Sequence, residues 1–167
     1  NGNVFWLENN SLKEVVRKSE SGGKGGGSSA TTKTYSYFAT LAVGVCEGPV
    51  DGIRRIWAGP TLVYDAGAGD IDSIIASNAA QQNNFSFYLG DAAQLPDTRM
   101  QADLGAASTP AYRGLCYVVI KDFALEKYGN AIPAFKFEVV KNATVEPSLF
   151  SEAIYGDIPE YNGNIIA

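Results

Sequence analysis

Alternation of apolar and polar positions organises most of this chain. The clearest case runs from Thr31 to Glu47, where Tyr35, Tyr37, Ala39, Leu41, Val43 and Val45 fall on one face and Ser36, Phe38, Thr40, Ala42, Gly44 and Cys46 on the other. A period of two predicts a strand. One face is large and the other mostly small, so a second backbone is expected to pack closely near Gly44. Shorter runs at Val4–Leu7, Leu12–Lys18, Phe85–Leu89 and Phe135–Val140 read as further strands. Ile53–Ala58 pairs with Thr61–Tyr64 across Gly59-Pro60 as a short hairpin. Leu115–Ile120 is apolar on both faces and belongs at the centre of a sheet.

Helical spacing is rarer. Ile71, Ile74 and Ile75 predict a short helix capped by Asp70. A second helix is expected over Asp97–Leu104, with Pro96 at its start, where a missing N–H costs little. Phe123–Tyr128 reads as a turn or a one-turn helix. The expected fold class is therefore mainly β with a few short helices (α+β), its antiparallel sheets forming a barrel or sandwich. Residues 1–141 form the β-rich module and carry a flexible Gly/Ser loop at 19–30, which has no apolar residue to bury. Residues 142–167 change character and read as the start of a next module, with a helix from Pro147 through Tyr155. The chain begins Asn-Gly-Asn without Met and reads as an excised fragment.

Three corners punctuate the strands. The first holds Glu47, Gly48, Pro49, Asp51 and Gly52, the second Pro110, Tyr112, Arg113 and Gly114, and the third Gly129, Asn130 and Pro133. These residue types set backbone shape. Glu47 and Asp51 are read as turn hydrogen-bonding groups, Tyr112 and Arg113 as core or interface anchors, and Trp57 as a core or interface ring.

Composition narrows the chemistry. Among 167 residues the formal net charge is −5, which disfavours tight binding to nucleic-acid phosphates. There is no histidine, which removes the commonest general base. Two cysteines, Cys46 and Cys116, lie in apolar runs and read as buried thiols; without histidine they make no ordinary zinc site. Gly22–Ser28 lacks the spacing of a phosphate loop, and Asp65, Asp70 and Asp72 lack the loop pattern of a calcium site. No catalytic residue, metal ligand or cofactor is expected, and no apolar run is long enough to span a bilayer. Two other readings stay open. Glu47 with Asp51, or Asp70 with Asp72, offers the carboxylate pair of a cell-wall hydrolase. Nine Tyr and two Trp offer stacking surfaces for a carbohydrate- or receptor-binding β-module.

The motifs in order are more specific than any one of them. Tyr35–Ala58, then Tyr88-Leu89-Gly90, Gln94-Leu95-Pro96-Asp97 and Thr109–Gly114, then Tyr128–Pro133 with Phe137-Glu138-Val139, resemble successive blocks of the phage tail protein family. Gly2–Trp6 and the Gly-rich loop fit the same order. The family is similar to the central tail hub of gene transfer agents and to the host-specificity tail-tip protein of lambda-like siphophages. The resemblance implies a tail-tube-like hub module, a homo-oligomer (typically a trimer) in the full-length hub, and partners among tube, distal tail and receptor-binding proteins. It places the protein in the virion at the tail tip. Ala58-Gly59-Pro60 departs from the Asp-Gly turn expected of the family, and residues 65–84 match poorly, as a variable insertion would.

Overall fold

The computed structural model describes residues 1–9, 13–20, 31–67, 69–80 and 84–141. Their strands are β1 (Asn3–Leu7), β2 (Lys13–Glu20), β3 (Thr31–Glu47), β4 (Gly52–Ala58), β5 (Thr61–Asp65), β6 (Phe85–Tyr88), β7 (Leu115–Ala124) and β8 (Phe135–Val140). Two α-helices, α1 (Ile71–Ala79) and α2 (Thr98–Leu104), and 3₁₀ turns at Ala106–Ser108 and Glu126–Tyr128 complete them. The fold is mainly β with short helices, and every strand pairing is antiparallel.

One sheet has the order β1-β3-β7-β6, with β2 also paired to β3. The other has the order β5-β4-β8. The odd-numbered face of β3 looks into the main core: Ala39, Leu41 and Val43 pack with Ile53 and Ile56 of β4, Tyr64 of β5, Phe85 of β6 and Val118 and Ile120 of β7. Its small face carries Ala42 into a second cluster with Trp6, Tyr117, Val119 and Met100 of α2. The first sheet is thus covered on both faces, by the second sheet and by α2, which is why residues 115–120 of β7 are apolar on both faces. Two pairs fasten α2 to the β1 end: Arg99 donates from Nε and Nη2 to the Glu8 carboxylate at 2.7 and 3.0 Å, and the Trp6 indole donates to Asp103 at 3.0 Å.

Several boundaries differ from expectation. β2 continues through Ser19 and Glu20, which sit opposite Thr32 and Thr31, so ladder pairing extends a strand into residues with nothing to bury. Phe123 lies in β7 rather than in a turn, because β3 offers partners as far as Phe38; the register shift between Ala39 and Leu41 is closed by the Asp122 N–H donating to Thr40 Oγ1 at 3.1 Å. In α2 the cap is Asp97 itself, accepting from the N–H groups of Arg99 and Met100 at 2.8 Å, so Pro96 lies outside the helix. Asp70 caps α1 as expected, accepting from Ser73 N–H at 2.9 Å, and α1 runs on to Ala79. Gly59, at φ +55°, makes the β4–β5 turn. The expectations for Leu12, for loop residues 21–30 and for 142–167 lie outside the described residues.

Candidate functional site: a joint of three loop segments

The first two corners, far apart in sequence, meet at one end of β3 and β7. Register leads both there, because Glu47 stands opposite Leu115. Gly48 N–H donates to Gly114 O at 2.8 Å, and Gly114 N–H donates to Gly90 O at 3.0 Å. Val50 N–H donates to Leu89 O at 3.0 Å. The segment after β6 is therefore a third member of the joint. A Cβ built on Gly48 would lie 2.7 Å from Leu89 O and 2.8 Å from Gly90 Cα. One built on Gly90 would lie 2.8 Å from Gly48 Cα. Two backbones touch here because neither residue has a side chain.

Gln94 locks the joint. Its side chain is buried; Oε1 accepts from Gly90 N–H at 2.7 Å, and Nε2 donates to Ala111 O at 2.8 Å and Tyr112 O at 2.9 Å. Arg113 is exposed, but its Nε returns a hydrogen bond to Gln94 O at 3.2 Å. One amide thus satisfies groups from two loops that have no ladder partner. We expect Gln94→Ala to cost about 3 kcal/mol, since buried donors and acceptors lose their partner together; a urea midpoint unchanged from the parent chain would refute this. Gln94 was visible only as part of the Gln-Leu-Pro-Asp motif, and polarity alone did not mark it as buried.

Aromatic rings back the joint. Tyr112, at φ +49°, stands 5.1 Å from Phe5 and 5.7 Å from Tyr117. Tyr88 stacks on Tyr117 at 4.4 Å, and its hydroxyl donates to Asp97 at 2.7 Å. Burial, reinforced by donation to Asp97, pushes the Tyr88 phenol above its ordinary range; burial does the same to Tyr117, so both rings stay neutral. An open cavity of about 480 Å³ adjoins the joint, lined by Phe5, Val45, Cys46, Glu47, Tyr112 and Leu115 among others.

The first corner is held on its far side too. Asp51 N–H donates to Val140 O at 3.0 Å, and Lys141 Nζ donates to Pro49 O. The peptide between Gly48 and Pro49 is cis. Gly52 is pressed against α1: its Cβ would meet Ile74 Cγ2 at 2.9 Å and Asn78 Oδ1 at 3.0 Å. Buried Asn78 accepts from Ile53 N–H at 2.7 Å and donates to Ile53 O and the Tyr64 hydroxyl, both at 2.9 Å. Sequence reasoning overlooked Asn78; its one signal is a polar residue one turn beyond Ile74 on the same helical face.

The remaining candidates fall elsewhere. Gly129 and Asn130, at φ +66° and +59°, shape the turn at the opposite end of β7, where Asn130 N–H donates to Leu125 O at 3.0 Å. Pro133 follows that turn, half-buried. Pro110 is exposed, and Trp57 is half-buried and outside both core clusters. Cys116 is buried as expected, whereas Cys46 is only partly so, at the rim of the cavity. Glu47 is exposed, and Asp70 is engaged as a helix cap. Among the described residues no group of three or more His, Cys, Asp or Glu is placed to hold a metal ion, and no helix is long and apolar enough to cross a membrane.

What the fold and joint define is a β-rich module in which buried side-chain amides and closely packed glycine backbones hold loop segments together. The comparison of structures gives that class a context. The chain is similar to a chain of the virion of a native gene transfer agent particle, with 27% sequence identity and a TM-score of 0.51. The match covers 97% of this chain and 32% of that one, so the chain spans about a third of the length of the protein it resembles. This likeness supports a structural component of a phage-type virion. No family model and no curated protein matches the chain.

Proposed function

We propose that the chain is a module of a phage or prophage tail-tip hub, part of the ring that closes the tail tube and connects it to host-recognition parts. The observation that carries this reading is the likeness of nearly all of this chain to about a third of a gene transfer agent virion chain. The order of the sequence blocks supports it, and so does the joint, whose glycines and amide serve to hold shape. On this reading no residue performs chemistry, and the module works in a homo-oligomer, typically a trimer, with other tail proteins. Imaging of purified particles tests it. Density for this fold in a ring at the distal end of the tube is expected; density at another position in the virion would overturn the hub assignment.

A margin suited to neighbouring subunits lies along β1, β2 and the start of β3, where Val4, Phe5, Leu7, Val15, Val16 and Tyr35 are all exposed, Val15 and Val16 on opposite faces. A row of this kind on a sheet margin invites a partner. Replacing Val15 and Val16 together by lysine should leave the thermal midpoint of the isolated chain within a few degrees while preventing incorporation into particles; normal incorporation would exclude this edge from assembly. Glu47→Gln should change stability by less than about 0.5 kcal/mol and leave assembly intact, since the side chain is exposed. Loss of particles with Glu47→Gln would count against a purely structural corner.

A second reading, a carbohydrate- or receptor-binding module, is favoured by the open cavity with Phe5 and Tyr112 on its wall. A glycan array without hits would set it aside.

A further inference from the structure

The tail-hub reading makes no use of the two thiols, yet the fold places them together. In the β3–β7 ladder Cys46 stands directly opposite Cys116, at the register shift that follows Gly44. Residues opposed in an antiparallel ladder have Cα atoms about 4.5–5.5 Å apart and send their side chains to the same face. A disulfide spans Cα separations of about 4.4–6.8 Å. Both side chains pack on the main core, Cys116 within it and Cys46 at its edge. Both are free thiols, and Cys46 also lines the open cavity beside the joint, which gives a small oxidant a way in.

We propose that Cys46 and Cys116 are a disulfide-forming pair that clips β3 to β7 next to the joint, closed by thiol–disulfide exchange with a small disulfide such as oxidised glutathione. Cys46 is the thiol that reacts first. Its thiolate attacks one sulfur of the oxidant, the S–S bond of the oxidant breaks, and one small thiolate leaves. The Cys116 thiol then attacks Cys46 Sγ, and its proton goes to the second small thiolate as that leaves. Two protein thiols give up two electrons and two protons in all, and one small disulfide becomes two small thiols. The order of events follows from access: Cys116 is fully buried. Burial, with Cys46 beside it as a further cause, pushes the Cys116 thiol up to about 12, so little thiolate is present there and its attack on the mixed disulfide is the slow step. Closure adds a covalent tie one residue from Glu47 and one from Leu115, the strand ends that hold the first two corners in register. The clip would then form where the surroundings are oxidising and stay open in a reducing cytoplasm.

The test incubates the full chain with oxidised glutathione, quenches with acid and measures intact mass and peptides. The expected product is a monomer lighter by two hydrogens, with Cys46 joined to Cys116, a raised thermal midpoint, and reversal by dithiothreitol. At a fixed glutathione ratio the bond should be favoured about tenfold or more in buffer over urea, because the fold holds the sulfurs together. Cys116→Ser should stop at the mixed disulfide on Cys46. If that variant does not fold, the parent chain's mass and its buffer-to-urea ratio decide the matter alone. A parent chain that keeps glutathione on Cys46 with Cys116 free, that links only between molecules, that reacts at neither thiol, or that closes no better in buffer than in urea overturns the proposal.

Discussion

Replacing Gly90 by alanine is expected to lower the stability of the chain by about 4 kcal/mol, combining the strain of a left-handed backbone with an overpacked contact. Gly90 sits at φ +87°, and its new Cβ would lie 2.8 Å from Gly48 Cα and 3.1 Å from Leu115 C. These are backbone atoms held by ladder and joint hydrogen bonds, so they cannot swing aside as a side chain would. The damage should spread, because Gly90 also accepts from Gly114 N–H and donates to Gln94. Gly105 is the natural control. Its φ is +90°, but nothing lies within 4 Å of its Cβ position. Gly105→Ala should therefore carry the strain alone, about 1–2 kcal/mol. Urea unfolding of both variants separates the two causes. Equal losses would show that the close approach of Gly90 to Gly48 and Leu115 contributes nothing, and that the joint is an incidental contact.

The second large effect is expected at Gly52. Here valine meets a helix rather than a loop. The added carbons would enter the space of Ile74 and of Asn78, both buried, and Asn78 already spends its amide on Ile53 and Tyr64. Overpacking together with loss of that buried amide network gives about 4 kcal/mol, enough to remove most of the stability of a marginal domain. Soluble yield, circular dichroism and the urea midpoint check it. A Gly52→Val chain that folds with an unchanged midpoint would mean that α1 does not pack where the structure puts it. Asn78→Ala in the parent should reproduce the part of the loss due to the amide, without the overpacking.

Much of the framework could be read from local pattern. Period-two alternation located β3 and its two faces, and the doubly apolar run of β7 placed it mid-sheet. Asp70 was legible as a cap because a side-chain oxygen before an apolar helical run has one obvious use. Gly48 and Gly52 were legible as special, but for an incomplete reason. Their glycine character suggested turn geometry, whereas the structure shows that what each needs is the absence of a Cβ against another segment. Phe123 and Ser19 were misjudged because a strand extends as far as its neighbour offers partners, and those partners, Ala39 and Thr32, lie outside the stretch being read.

The sequence by itself determined the strands, most of the turns and the helix starts, since these follow from side-chain periodicity and from the local preferences of Gly, Pro, Asp and Asn. Only the tertiary structure decided which corners meet. The first two corners share a joint because Glu47 pairs with Leu115, while Gly129 and Asn130 go to the opposite end of β7. That same register sets Cys46 against Cys116 and gives Gln94 two loops to satisfy. Register is a property of two strands brought together by a shared core, and no stretch of one strand carries it alone.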